Sequence, residues 1–408
     1  MIMMNTLRRS ALVLCLSVAA FVNAADIDSI SSHGVIHRIG ADVRPGYVVP
    51  VKSFYSGNNA LGRPIDFALS GHLKYSFRFA SDTYFGRMFP HTYQGIGVGV
   101  HSFFDKEELG TPVSVYAFQG SRIARLSRNL SFDYEWNFGA SFGWKKYDKE
   151  TNYFNDIVGS KINAFINLGF MLNWQMASDW SLTCGVDLTH FSNGNTNYPN
   201  VGVNTVGARV GVVRTFSAGS ASERDVVGSS VRAQRIRPHL SCDVVAYGSR
   251  RKRSVVTDYE GFMVPGSFGV AGVNINPMYN FCNVFCAGAS LDVQYDESSD
   301  IKDHMAKDAD VPQGSETKFF RPPFRDQVSA GVSLRAELVM PIFSINFGVG
   351  HSVYCKGKDQ RGFYQVLALK TYVSRNMFLH VGYMLERFND PSNLMLGIGY
   401  RFHNKRYK

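Results

Sequence analysis

About sixteen short stretches of the chain alternate apolar with polar residues, and this period of two is the pattern of a β-strand. After residue 24 no run approaches the roughly twenty apolar residues that a membrane-spanning helix needs. Strands cross hydrocarbon only as a closed barrel, because an open sheet edge would leave its backbone groups without hydrogen-bond partners. The pattern therefore predicts an all-β protein, a transmembrane antiparallel β-barrel.

The connections between the predicted strands alternate between short and long, as periplasmic turns alternate with external loops in such barrels. One exception is 81–93, which is long where a short turn is expected. The predicted turns are MASDW, NPMYN, VMPIF and VSRNM, and the longest predicted external loops are 145–161, 248–261 and 296–325. The strands are predicted to begin near Gly34, Asp66, Gln94, Thr111, Asn129, Lys161, Trp180, Gly202, Arg237, Met263, Met278, Asp326, Pro341, Arg361, Asn376 and Asn393.

The first residues have the features of a secretory signal peptide. Arg8 and Arg9 precede an apolar run, and Val22-Asn23-Ala24 is a small-residue cleavage pattern, so we expect residues 1–24 to be removed. The net charge of +10 suits an anionic membrane surface. Because the chain is exported, a nucleic-acid partner is not expected.

The two halves of the chain resemble each other. The segment from MASDW to VVRTF and the segment from VSRNM to GYRF each contain a strand, a loop with Asn and Pro, and a closing strand that ends on an aromatic residue. We therefore expect two tandem eight-stranded barrels, 25–216 and 237–408, joined by the polar linker 217–236. The alternative is one barrel of about sixteen strands, which preserves the same alternation of loops.

Five cysteines remain after the expected cleavage, an odd and scattered set that does not suggest a disulfide framework. Cys282 and Cys286 lie four residues apart on one predicted strand, but no partner residues complete a zinc pattern. We therefore expect neither a metal site nor a cofactor.

The stretch HFSNGNTNYPNVGVN, residues 190–204, carries the candidate chemistry. Successive side chains of a strand point to opposite faces, so His190 and Ser192 continue the apolar, lipid-facing row of their strand. Asn204 continues the apolar row of the next strand, whereas Asp187 and Arg209 are expected to face the interior, where they could form an ion pair. A histidine can deprotonate a serine on the same face, and a third polar group can orient the ring. Backbone N–H groups near Asn193 and Gly194, with the Asn200 side chain, are candidate oxyanion donors.

These residues resemble the lipid A 3-O-deacylase family, outer-membrane barrels with an exposed His-x-Ser site. The resemblance rests on His190-Phe191-Ser192-Asn193, on Pro199-Asn200 and on Gly202, and it covers about the first half of the chain. It implies Ser192 as nucleophile, His190 as general base, and Asn193, Gly194 and Asn200 at the oxyanion. Where the deacylases carry a glutamate, this chain has Asn204.

The pattern of His190, Ser192 and Asn204 is also similar to the triad of outer-membrane phospholipase A. That family's barrel is larger, and no residue here can be assigned to its calcium dependence. In the second half, Arg387 and Asn389 stand where His190 and Ser192 stand in the first, so that half is expected to be a degenerate copy without a site. SRRKRS, 249–254, is interpreted as a solvated external loop, with contact to lipid A phosphates as the alternative.

Together these features predict an outer-membrane esterase of a Gram-negative bacterium. Its substrate would be lipid A, the membrane anchor of lipopolysaccharide, in the outer leaflet. Phospholipase A activity is the alternative within the enzyme class, and a non-catalytic pore or binding barrel is the alternative outside it. A wide polar lumen would favour the pore, whereas narrow barrels filled by side chains would favour the enzyme.

Overall fold

The computed structural model describes residues 34–216, 235–256, 261–304, 319–386 and 390–403. Within them the chain forms two closed antiparallel barrels of eight strands each, and it divides into two compact units. Closure leaves no strand edge unpaired in either barrel. The fold class is therefore the predicted one, with two tandem barrels and not one barrel of sixteen strands.

The first barrel follows the chain strand by strand, and its last strand pairs with its first. A backbone hydrogen bond from Val49 N to Asn204 O, at 2.9 Å, extends that closing seam past the paired strand residues. Its strands are β1 (Val35–Val48), β2 (Phe67–Phe79), β3 (Tyr93–Ser102), β4 (Gly110–Arg125), β5 (Leu130–Trp144), β6 (Ile162–Gln175), β7 (Trp180–Ser192) and β8 (Val203–Phe216).

The second barrel closes in the same way, because its last strand pairs with its first. A small two-stranded sheet, β10 (Ser254–Val256) with β11 (Gly261–Met263), lies outside it and was not predicted. The barrel strands are β9 (His239–Arg251), β12 (Phe268–Cys282), β13 (Phe285–Asp296), β14 (Val328–Val339), β15 (Phe343–Cys355), β16 (Phe363–Tyr372), β17 (Met377–Glu386) and β18 (Asp390–His403).

All eight strands of the first barrel begin within one residue of their predicted positions. In the second barrel the prediction that NPMYN is a turn is wrong, and so is the strand start near Met278. Asn276 and Asn280 fill inward positions in the middle of β12, and Pro277 points outward. Cys282 and Cys286 consequently lie on two neighbouring strands and not on one.

Charged side chains fill the interior of the first barrel. Arg209, 0% exposed, pairs with Glu135 at 2.8 Å and with Asp42 at 3.2 Å. Lys74 contacts the same two carboxylates at 3.1 Å and 2.8 Å. The expected ion pair between Asp187 and Arg209 does not form, because Arg209 reaches across to β1 and β5. Asp187 faces inward as expected, and it lies 3.9 Å from Arg44.

The interior of the second barrel follows the same principle. Lys370 and Arg401 both pair with Asp243 and Glu337, and all four side chains are buried. The outward positions of both barrels are apolar, as Leu73, Val186 and Leu334 illustrate with exposed fractions of 63%, 59% and 75%. A polar interior with an apolar exterior is the arrangement of a barrel that spans a membrane.

No helix in the described ranges is long and apolar enough to cross a membrane. The helical segments are single turns, such as Tyr84–Met88 in the long connection 80–92. The expected signal peptide, 1–24, lies outside the described residues, as do most of the expected linker and both Arg387 and Asn389.

We expect Arg209→Ala to lower the free energy of unfolding by about 3–5 kcal/mol, because it leaves buried carboxylates with too little positive charge. The measurement is a denaturant titration of the protein refolded in lipid vesicles. Arg214→Ala on the same strand is the matched control: its half-exposed guanidinium lies 3.6 Å from Asp179, so its loss should change stability by only about 0–1 kcal/mol. Equal effects of the two substitutions would contradict the importance of the interior network.

Candidate active site

The candidate residues meet where β7 ends and β8 begins. His190 and Asn204 are directly opposite each other in the β7–β8 register. The side chains of His190, Ser192 and Asn204 are partly exposed on the outside of the barrel, whereas their neighbours Phe191 and Val203 are buried. The alternation of faces read from the sequence is therefore the one observed.

A hydrogen bond joins the two opposite side chains. His190 Nδ1 lies 2.7 Å from Asn204 Oδ1, and because an amide oxygen only accepts, the ring nitrogen donates. In the neutral ring the lone pair is then on Nε2, the nitrogen that can take up a proton. Within the described residues, Ser192 Oγ makes no hydrogen bond to the ring, so the structure pairs His190 with Asn204 and leaves Ser192 apart.

The strand that carries the site is anchored from inside the barrel. Phe191 lies between His190 and Ser192 in sequence, and its ring packs against His101 and Trp144 at 5.0 Å each and against Phe165 at 5.4 Å. Phe191, Trp144 and Phe165 belong to one buried hydrophobic cluster. Rings packed on several sides restrain the backbone of β7, and thereby the directions of His190 and Ser192.

Gly202 leaves room for the imidazole on the loop side. Its φ of 79° lies in the left-handed region, and a Cβ there would come within 3.1 Å of His190 Cε1 and 2.6 Å of Phe191 O. The Tyr55 hydroxyl donates to Gly202 O at 2.9 Å, and burial raises the pKa of Tyr55, which keeps the donor protonated. Only glycine fits this position without moving the ring.

The loop 193–202 is tied internally and to the neighbouring loop. Asn193 N donates to Asn200 Oδ1 at 2.8 Å, and Val201 N donates to Ile157 O at 3.2 Å. Two of the predicted oxyanion donors therefore contact each other, and the backbone N–H of Asn193 is occupied by Asn200. Gly194 has a φ of 63°, which turns the chain sharply directly after Asn193.

Two family models match the chain. The model described as "Lipid A 3-O-deacylase (PagL)" matches residues 117–213, which include His190, Ser192 and Asn204. The model described as "Acyloxyacyl hydrolase, C-terminal domain" matches residues 240–404. Part of the first barrel is therefore similar to the lipid A 3-O-deacylase family. The second barrel, in which no catalytic pair was found from the sequence, is similar to the C-terminal domain of acyloxyacyl hydrolases.

A search of the curated proteins finds no match to this chain. Among solved structures, neisserial surface protein A is 10% identical, with 44% of this chain and 97% of that one covered and a TM-score of 0.30. The Pseudomonas putida toluene transporter TodX is 10% identical, with coverage of 94% and 93% and a TM-score of 0.17. The NalP translocator domain of Neisseria meningitidis is 8% identical, with 98% of both chains covered and a TM-score of 0.15.

Sequence reasoning missed the roles of Tyr55 and Phe191. Tyr55 lies in the short 3-10 helix Ser53–Ser56, far from the site in sequence. Phe191 occupies an inward position between the two candidate catalytic residues, which identifies it as an anchor once the faces are assigned. Nothing in the local sequence around Tyr55 signals its contact with Gly202.

The basic stretch SRRKRS is not simply a solvated loop. Arg251 ends β9 and is buried against Asp296, and the partly exposed Arg253 pairs with Asp359. The interpretation of the whole stretch as exposed is therefore wrong for Arg251, because a buried carboxylate neutralises it. Within the described residues, no group of three or more His, Cys, Asp or Glu side chains is placed to hold a metal ion.

We expect Gly202→Ala to weaken the hydrogen bond between His190 and Asn204, because the added methyl group would displace the imidazole. The measurement is the ¹⁵N chemical shift of the His190 ring nitrogens in detergent micelles, which reports the tautomer. Gly71→Ala is the control, since nothing lies within 4 Å of a Cβ at that position. An unchanged His190 spectrum in folded Gly202→Ala would contradict the proposed contact.

Proposed function

We propose that the chain is an outer-membrane serine esterase that hydrolyses an ester-linked acyl chain of lipid A, with Ser192 as nucleophile and His190 as general base. The observation that carries this proposal is the 2.7 Å hydrogen bond between His190 and Asn204 on the lipid-facing surface, two residues from Ser192. The match of residues 117–213 to the lipid A 3-O-deacylase family model supports an acyl ester of lipid A as substrate.

In the proposed reaction, His190 Nε2 takes the hydroxyl proton of Ser192 as Oγ attacks the ester carbonyl. The carbonyl oxygen becomes an oxyanion, stabilised by donors around Asn193, Gly194 and Asn200. The intermediate collapses as His190 returns the proton to the leaving sugar oxygen, and the acyl chain remains on Ser192. Water, deprotonated by His190, then releases the fatty acid and restores the serine.

Oxyanion binding requires a rearrangement of the loop. The Asn193 N–H is occupied by Asn200 Oδ1 in the structure, so it can serve the oxyanion only after this contact opens. A polar group of the substrate that takes the place of Asn200 would open it. We therefore infer that substrate binding completes the oxyanion site, as it does in other enzymes that close on their substrates.

Asn204 is proposed as a positioning residue. By accepting from Nδ1 it keeps Nε2 free to accept a proton, and it fixes the ring's direction. It supplies no negative charge, so it would stabilise the protonated imidazole less than a carboxylate does. Asparagine in place of the glutamate of the deacylases thus keeps the His190 ring oriented, but it stabilises the protonated ring less.

The surroundings of the candidate site suit a lipid substrate that stays in the membrane. Directly below His190 and Asn204 the outward residues are Leu188 and Val206, with exposed fractions of 53% and 47%. An acyl chain attached to a head group at the level of Ser192 can lie along this apolar surface. The expected partner is therefore lipid A of lipopolysaccharide in the outer leaflet.

The pore alternative receives no support from the interior of either barrel. Buried ion pairs around Arg209 and around Arg401 occupy the middle of the two interiors. A phospholipid would offer the same ester chemistry at the same surface, so phospholipase A activity is retained as an outcome of the test.

We expect Ser192→Ala to insert and fold normally but to abolish release of a 3-hydroxy fatty acid from lipid A, because the nucleophile is lost. Mass spectrometry of lipid A from cells expressing each form checks this. Ser56→Ala, an exposed serine beyond β1, is the matched control and should keep full activity. Intact lipid A with the unaltered protein would refute the deacylase proposal, and accumulation of lysophospholipid would select phospholipase A.

We expect Asn204→Ala to lower kcat by about one to two orders of magnitude with little change in KM, because the base loses its orientation. Asn204→Glu should keep the base oriented, but a carboxylate attracts the protonated imidazole. The acidic limb of the pH–rate profile should therefore move to higher pH in Asn204→Glu. If Asn204→Glu and the unaltered protein have the same pH–rate profile, residue 204 does not contact the base during the reaction.

A further inference from the structure

Five arginines lie at one end of the first barrel, opposite to the candidate active site. We call the end formed by the connections 80–92, 126–129 and 176–179 the turn end. The connections 80–92 and 126–129 lie close to each other, because β3 pairs with β4 and Arg122 Nη1 lies 3.5 Å from His91 Nε2. The arginine cluster consists of Arg78, Arg87, Arg122, Arg125 and Arg128.

The charge of this cluster is unbalanced. Across 78–92 and 121–130 there are 5 arginines, no lysine, and one carboxylate, Asp82. These two segments therefore carry an excess of positive charge, and it consists of guanidinium groups alone.

Three members of the arginine cluster expose their side chains to solvent. Arg87, Arg125 and Arg128 are exposed, and within the described residues neither Arg125 nor Arg128 pairs with a carboxylate. Arg125 Nε donates only to Ser127 O, at 3.1 Å. Burial and the nearby Arg122 and Arg78 lower the pKa of His91 to about 4, so this ring adds no charge at neutral pH. A guanidinium binds phosphate oxygens through two parallel hydrogen bonds.

Apolar side chains stand beside these arginines. Tyr84, Ile123 and Leu126 are 60%, 51% and 55% exposed, although a water-facing surface would not favour such residues. Trp174 and Trp180 point outward at the same end of the barrel, where aromatic residues of membrane barrels meet the head-group region. The combination of apolar side chains and guanidinium groups matches the boundary between hydrocarbon and lipid head groups.

We propose that the arginine cluster binds the phosphodiester of an anionic phospholipid in the leaflet at the turn end. Long loops lie outside and short turns face the periplasm in such barrels, so this is the inner leaflet. The apolar residues contact the acyl chains, while Arg87, Arg125 and Arg128 contact the phosphate. The proposal does not depend on the chemistry of Ser192, because the cluster lies at the other end of the barrel.

The test uses the full chain in detergent micelles, with phosphatidylglycerol or phosphatidylcholine added, and measures bound lipid by native mass spectrometry. The triple variant Arg87→Gln, Arg125→Gln and Arg128→Gln should weaken phosphatidylglycerol binding by about tenfold or more, and it should weaken phosphatidylcholine binding less, because the choline cation offsets the charge of the same phosphodiester. The matched control removes three exposed lysines at the opposite end, as Lys106→Gln, Lys146→Gln and Lys149→Gln, and should bind phosphatidylglycerol as the unaltered protein does.

Three results would overturn the proposal. They are unchanged phosphatidylglycerol binding in the arginine variant, an equal loss in the lysine variant, and competition by soluble glycerophosphate as effective as that by the lipid. The last would assign the cluster to a soluble anion in place of a membrane lipid. Heat-dependent migration on gels establishes that each variant is folded, and ester hydrolysis by the arginine variant reports separately on the candidate active site.

Discussion

The absence of hydrogen-bond partners in hydrocarbon is the constraint on which this structure depends. Every strand must be paired on both sides, so each set of eight strands closes, and closure assigns every residue to an inner or an outer face. The inner face can then hold charges, provided that they are paired: Arg209 with Asp42 and Glu135, and Arg401 with Asp243 and Glu337. Because one face is filled in this way, chemistry on a membrane lipid can take place only on the outer face or at the rim.

Much of the fold could be predicted because alternation and closure are properties of the sequence itself. The strands of the first barrel, and the outward direction of His190, Ser192 and Asn204, follow from a period of two. The error at NPMYN arose because Asn and Pro are typical of turns, yet in a barrel the interior accepts asparagine and an outward position accepts proline. Contacts between segments distant in sequence were not predictable. Arg209 pairs with Glu135 and not with Asp187, and Tyr55 donates to Gly202, because closure of the barrel brings these residues together.

The asparagine at position 204 fits the place where it lies. A carboxylate on the lipid-facing surface would have to be desolvated whenever the imidazole is neutral, which is unfavourable near hydrocarbon. An amide carries no charge, so the resting pair of His190 and Asn204 is less costly to hold there. The proposed consequence is a site in which the third residue contributes orientation more than transition-state charge stabilisation.

The spacing of His190 and Ser192 explains why the surroundings of the ring matter. Residues two apart on a strand have Cα atoms separated by about 6.6 Å, so the base reaches the serine only if both side chains lean toward each other. Phe191, fixed in the aromatic cluster, holds the backbone between them. Asn204 limits the ring on one side, and the absence of a Cβ at Gly202 leaves room for its Cε1 on another. The side-chain rotamer of Ser192 is then the main remaining degree of freedom. A bound ester that displaces lipid from the outer surface can select the productive rotamer.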